Sequence, residues 1–105
     1  MTRRPALAPP AARPFDQVMR ESSALASLGE RLRESRAMLA TVLPLLPGPL
    51  ASAVEPGPLD AEGWSLLGAN AAVAAKLRQL VPHLEERLRD AGHAVATVRI
   101  KVLPR

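Results

Sequence analysis

The strongest constraint on the fold is a change of hydrophobic period near the end of the chain. Apolar residues between Val73 and Leu88 recur at steps of four and three, the spacing of a helix with one buried face. Residues 94–103 instead alternate and are rich in β-branched side chains, which predicts a half-buried strand. Gly92 lies between them and is placed to end the helix in a left-handed conformation. A long amphipathic helix followed by a half-buried strand predicts an α+β fold.

Boundary residues refine the long helix. Asn70 is a good N-cap for it. Pro82 lies inside it and removes one backbone hydrogen bond, so we expect a kink or a restart there.

A β-hairpin is predicted before this helix. Residues 63–68 have glycine at each end and are typical of a strand, and residues 50–56 are a weaker strand candidate. Gly57 and Pro58 mark a turn between them, and we expect Leu59 and Asp60 to belong to the hairpin connection.

Two helices are predicted at the start of the folded region. Ser27 and Glu30 have the spacing of a capping box, so a second helix is expected to begin at Leu28. Apolar positions then recur at steps of three and four as far as Val42. One bent helix is an equal alternative, although Gly29 weakens an uninterrupted helix.

The 105 residues are enough for one small domain and an arm. Residues 1–14 contain four prolines and no acidic side chain, so we expect a disordered, basic, Pro/Ala-rich arm. We expect residues 15–105 to form a single domain. The arm carries Arg3, Arg4 and Arg13, whereas the rest has 11 basic and 10 acidic residues. Such an arm can contact phosphates, and a solvated terminus without a function is the alternative.

Several classes of function find no support in the sequence. There is no cysteine for a disulfide or thiolate site, and two histidines alone do not make a metal centre. Residues 63–70 have the glycine spacing of a P-loop without its lysine. No apolar run spans a membrane, and the N-terminus lacks the apolar region of a secretory signal. We therefore expect a non-catalytic cytoplasmic protein without a cofactor, a metal or a small-molecule substrate.

Three residues near the sheet raise the question of nucleic-acid binding. Trp64 can fill the core or can offer a surface on which a base stacks. Arg99 and Lys101 share one face of the final strand and can contact phosphates, although cations on an edge strand also prevent edge-to-edge pairing.

One stretch is similar to a known family. Residues 69–84, A-N-A-A-V-A-A-K-L-R-Q-L-V-P-H-L, resemble the helix of the DciA-like family, formerly of unknown function and associated with bacterial replicative helicase loading. The rest of that family's pattern is matched in order by Leu43–Leu50, Trp64–Gly68, Gly92 and Val95–Val102. The similarity covers residues 20–103 approximately.

The resemblance implies a KH-like domain with helices on one face of a three-stranded sheet. It also implies a bacterial protein that binds DNA and the replicative helicase without catalysis. No G-x-x-G occurs in the chain, so the backbone clamp with which KH domains hold RNA is not expected.

We expect weak binding to single-stranded or structured DNA. The candidate residues are the cations least neutralised by neighbouring acids, with Arg78 added from the similar stretch: Arg3, Arg4, Arg13, Arg99, Lys101 and Arg78. The alternative is a small protein–protein adaptor that does not bind nucleic acid.

Overall fold

The structure is a computed structural model and describes residues 14–104. Residues 1–13, which hold most of the predicted arm, lie outside this range. The chain divides into two compact units, the first ending at Glu30 and the second beginning at Arg31. The elements in chain order are α1 (Phe15–Val42), a 3₁₀ turn (Leu43–Leu45), α2 (Gly48–Ala51), β1 (Val54–Asp60), β2 (Gly63–Gly68), α3 (Ala71–Asp90) and β3 (Val98–Val102). The predicted α+β class is confirmed.

The three strands form one mixed sheet in the order β1-β2-β3. β1 and β2 are an antiparallel hairpin, and β3 returns through α3 to lie parallel to β2. The strand predicted at residues 63–68 is confirmed. It pairs with the final strand. The final strand is shorter than the predicted residues 94–103, since it begins at Val98 and ends at Val102. The Val98 N–H is donated to the Glu85 carboxylate of α3, 2.9 Å away, so a side chain anchors the start of β3.

The first strand differs from the prediction. Residues 48–51 are helical, and β1 continues through the expected turn at Gly57 and Pro58 as far as Asp60. The strand accommodates both residues because its register with β2 shifts between Pro56 and Leu59. An edge strand with such an irregularity tolerates proline. A Cβ on Gly57 would lie 2.7 Å from the Ser65 carbonyl oxygen, so this close approach requires glycine.

The prediction of two N-terminal helices is also wrong. One helix, α1, runs without a break from Phe15 to Val42. The capping-box spacing of Ser27 and Glu30 therefore lies inside a helix. Gly29 does not end α1, because one interior glycine costs only about 1 kcal/mol relative to alanine.

The predicted ends of α3 are confirmed. The Asn70 side chain accepts a hydrogen bond from the Val73 N–H at 2.9 Å, and Gly92 has φ +88°. The helix does not restart at Pro82. Leu77 and Leu84, on either side of this proline, are fully buried, and their packing keeps the helix in one piece.

The core lies in the second unit and is almost entirely aliphatic. It combines the end of α1, one side of β2, one side of α3 and the start of β3. Its fully or almost fully buried members include Met38, Val42, Trp64, Leu66, Leu77, Leu84, Leu88 and Val98.

One chain of hydrogen bonds crosses this core. The Trp64 Nε1–H donates to Ser35 Oγ at 2.8 Å, and the Ser35 hydroxyl donates to the Gly57 carbonyl at 2.7 Å. These bonds connect β2, α1 and β1. Because Trp64 is fully buried, its ring N–H depends on Ser35 for an acceptor.

Candidate nucleic-acid interface

The structure neutralises one of the two candidate cations on β3. The Arg99 guanidinium lies 3.3 Å from both Asp60 oxygens and 3.3 Å from Glu62 Oε1. Its side chain is 37% exposed, so part of its surface is covered as well. The expectation that Arg99 is poorly neutralised is therefore wrong: an aspartate at the end of β1 and a glutamate of the hairpin turn compete with any phosphate for it.

The hairpin turn holds Asp60 in the position that makes this pair. Asp60 Oδ1 accepts hydrogen bonds from the N–H groups of Glu62, at 2.8 Å, and Gly63, at 3.2 Å. The Glu62 N–H is the largest influence on the Asp60 carboxyl, and together with the Arg99 charge and the Gly63 N–H it lowers the pKa against the opposing effect of desolvation. Asp60 thus supports both the turn and the arginine.

Lys101 is different, although it follows two residues later on the same strand face. In the sheet register Arg99 lies beside Ser65 and Lys101 beside Leu67. The Lys101 side chain is exposed and has no ion pair within residues 14–104. The predicted cationic pair is therefore split into one neutralised and one available charge.

The remaining candidates are not brought together with this face by any described contact. Arg78 is exposed on α3 and makes no ion pair in the described part of the chain. Arg3, Arg4 and Arg13 lie outside the described residues. The interface predicted from the sequence therefore reduces, among described residues, to Lys101 and Arg78 on separate elements, plus the paired Arg99.

A group of cations near the middle of α1 was not among the predicted site residues. These side chains are exposed and have no ion-pair partner among the residues that the structure describes; they are Arg31, Arg33 and Arg36. Arg33 and Arg36 are three residues apart, a spacing that makes side chains neighbours on a helix surface. The sequence shows that these arginines are close together, but only the structure shows that their side chains are exposed.

Trp64 does not provide a surface for base stacking. Its side chain has no solvent exposure, and its ring nitrogen is bonded to Ser35. The interpretation of Trp64 as a core residue is correct.

Neither a metal-binding group nor a membrane-spanning helix is found within residues 14–104. Between residues 14 and 104, no three His, Asp or Glu side chains are grouped so that they could hold a metal ion. None of the helices in this range combines the length and the apolar character needed to cross a bilayer. His93 follows Gly92 in the loop after α3, and its ring lies 2.5 Å from a Glu34 carboxylate oxygen and 3.0 Å from the Thr41 hydroxyl.

No protein-family model matches the chain, and no curated protein is significantly similar to it.

Proposed function

We propose that this protein is a non-catalytic accessory protein of bacterial DNA replication, similar to the DciA-like family, that binds DNA weakly and contacts the replicative helicase. In this proposal the α+β fold is KH-like, with its helices on one face of the sheet, and the protein acts in the cytoplasm.

One observation carries the proposal. Residues 71–84 of the family-like stretch lie on a single helix, α3, with Asn70 as its N-cap. This helix leads into a strand parallel to β2, in the order that the resemblance implies. Within this stretch Leu77 is fully buried whereas Arg78 is exposed. The leucines therefore serve the fold and leave the arginine available to a partner.

The charge distribution supports weak rather than tight DNA binding. Lys101 and Arg78 are single available cations, and Arg99 is already occupied by two carboxylates. Residues 15–105 carry 11 basic and 10 acidic side chains, so their net charge is small. Affinity for DNA at physiological salt is therefore micromolar or weaker, and it falls as salt rises. The arginines of the first 14 residues, Arg3, Arg4 and Arg13, add further contacts in this proposal.

Fluorescence anisotropy with a labelled single strand at two salt concentrations tests DNA binding. Lys101→Ala is expected to weaken binding, and Arg99→Ala/Lys101→Ala to weaken it further. Glu62→Gln is the sharper variant, because it removes an exposed partner of Arg99 and is expected to strengthen binding. Glu86→Gln is the matched control, since it removes an exposed acidic charge from α3 without affecting Arg99. An equal increase in DNA affinity in the two glutamine variants would show that the change in net charge, and not the release of Arg99, strengthens binding.

A pull-down of the tagged protein from lysate of its own cells tests the partner. Recovery of the replicative helicase after nuclease treatment supports a direct contact, because DNA can no longer bridge the two proteins. Loss of the helicase on nuclease treatment would contradict it.

A protein–protein adaptor without DNA binding is the second candidate. It is favoured by large apolar side chains that remain exposed on the first unit: Phe15, Val18, Met19, Leu25 and Leu28. Exposed apolar patches of this kind mark interaction surfaces. Absence of DNA binding even at low salt would leave this candidate ahead.

A further inference from the structure

An apolar groove in the second unit lies between α2 with its preceding residue and the first turns of α3. Its volume is about 330 Å³. It is lined by Pro47, Pro49, Leu50, Ala72, Val73 and Lys76. None of the nucleic-acid candidates discussed above contributes to it.

The groove is lined mainly by apolar side chains, which offer few hydrogen-bonding groups. Pro47 and Pro49 have no N–H group, and the Pro47 carbonyl already accepts the Ala51 N–H at 2.8 Å. Leu50 is buried and Val73 is half-buried, and both line the groove with aliphatic side chains. Rigid prolines and buried aliphatic side chains make a preformed apolar surface, which suits an apolar ligand.

The close approach of β2 to α3 fixes one wall. A Cβ on Gly68 would lie 3.0 Å from Val73 Cγ1 and 3.2 Å from the Ala74 nitrogen, so the strand end and the helix start are in tight contact. Val73 is therefore held in place.

The charge at the groove is positive. Lys76 is its only charged lining residue, is exposed, and has no ion pair within residues 14–104. Ala72 belongs to the first turn of α3, where the helix dipole is also positive. This sign disfavours the chain's own N-terminal segment, which carries Arg3, Arg4 and Arg13 and no acid.

We propose that this groove binds a short apolar segment of a partner protein that carries a carboxylate. Aliphatic side chains of the segment contact Leu50 and Val73, and the carboxylate pairs with the Lys76 ammonium. This interaction is independent of DNA binding, so failure of either proposal leaves the other standing.

The probe is a short fluorescein-labelled peptide of leucine and alanine with a free carboxyl terminus, compared with the same peptide amidated. Binding of the full chain is followed by anisotropy, and its location by NMR shifts of the Leu50 and Val73 methyl groups. The free-carboxyl peptide is expected to bind about fivefold more tightly at low salt, the value of a good exposed ion pair. Lys76→Glu is expected to reverse that preference, whereas Arg87→Glu, the same change elsewhere on α3, preserves it.

A second pair of variants tests the groove itself. Ala72→Trp places a large side chain in it and is expected to lower affinity for both peptides at least tenfold. Ala75→Trp is the matched control, since Ala75 is exposed on α3 and does not line the groove. Both alanines are exposed, so a cooperative melt is expected for each variant.

Four results would overturn the proposal. The first is equal affinity for the two peptides, and the second is equal loss in the two tryptophan variants. The third is a rise in affinity for both peptides when residues 1–13 are deleted, which would make the chain's own N-terminus the occupant. The fourth is a dimer of this chain that sedimentation detects and that Ala72→Trp dissociates.

Discussion

The boundary between the two units divides α1 into a first part, which ends at Glu30, and a second part, which begins at Arg31. The two parts have similar apolar spacing but different surroundings. In the second part Met38 and Val42 have no solvent exposure, and Ser35 is buried with its hydroxyl bonded to β1 and β2. In the first part Leu25 is 69% exposed and Leu28 is 51% exposed. The same helical stripe is therefore core in one part and surface in the other.

This difference shows what a hydrophobic period means. A spacing of three and four places side chains on one face of a helix, but it does not determine whether another element covers that face. Stability should therefore depend strongly on the second part of the helix and weakly on the first.

The largest effect is expected at Met38. Met38→Ala should lower the free energy of unfolding by about 2–5 kcal/mol, because it leaves a cavity among fully buried side chains. Urea denaturation of this variant and of Leu28→Ala measures the contrast, with the latter expected to change stability by less than about 0.5 kcal/mol. Comparable losses in both variants would show that the first part of α1 is covered in solution.

The next effect is expected at Ser35. Ser35→Ala removes the acceptor of Trp64 Nε1–H and the donor to the Gly57 carbonyl, leaving buried polar groups unsatisfied at a cost of about 1–3 kcal/mol. Ser27→Ala is the matched control on the exposed part of the same helix. Thermal melts of the two variants should separate clearly, and coincident melting curves would remove the buried chain of bonds as a source of stability.

Acid should weaken the second unit through Asp60. Its pKa is lowered in the fold by the Glu62 N–H, with support from Arg99 and the Gly63 N–H, so the ionised form favours folding. This stabilisation is present above the ordinary aspartate pKa of about 3.9 and is lost as pH falls through the lower pKa of the folded state. Asp60→Asn should flatten the acid limb of stability against pH, measured by denaturant titrations. If the loss of stability at low pH is unchanged in this variant, groups other than Asp60 cause it.

The smallest effect is expected from Val18→Ser and Leu25→Ser, together or singly. Both side chains are exposed, so the melting temperature should stay within a few degrees of the unsubstituted protein, apart from a small loss of helix propensity. If a partner protein is recovered in a pull-down with the unsubstituted protein but not with these variants, the exposed stripe is an interaction surface. A sharp fall in melting temperature would contradict its assignment as surface.

Much of the local structure was predictable. The limits of β2, the N-cap at Asn70 and the left-handed Gly92 depend on residues close in sequence, where capping and period act directly. The prediction of β1 was wrong because proline and glycine are equally typical of a turn and of an irregular edge strand. The pairing register with β2 distinguishes the two, and that register involves distant residues.

The candidate site shows the same limit. The sequence placed Arg99 and Lys101 on one face of a strand, which the sheet register agrees with. It did not identify Asp60 as a partner of Arg99, because the two are 39 residues apart and meet only through the pairing of β3 with β2 and of β2 with β1. Net charge counted along the chain is therefore a poor guide to which cations are available.

The sequence alone determined that this protein combines a long helix with a half-buried strand, because hydrophobic period and capping act over a few residues. Only the tertiary structure decided that Trp64 is buried and bonded to Ser35 rather than open to a base. It also decided that Arg99 is paired with acids while Lys101 is available, and which part of α1 is core. Each of these outcomes depends on a contact between residues far apart in the chain. Burial and ion pairing are properties of such contacts, and they become defined only when the elements pack together.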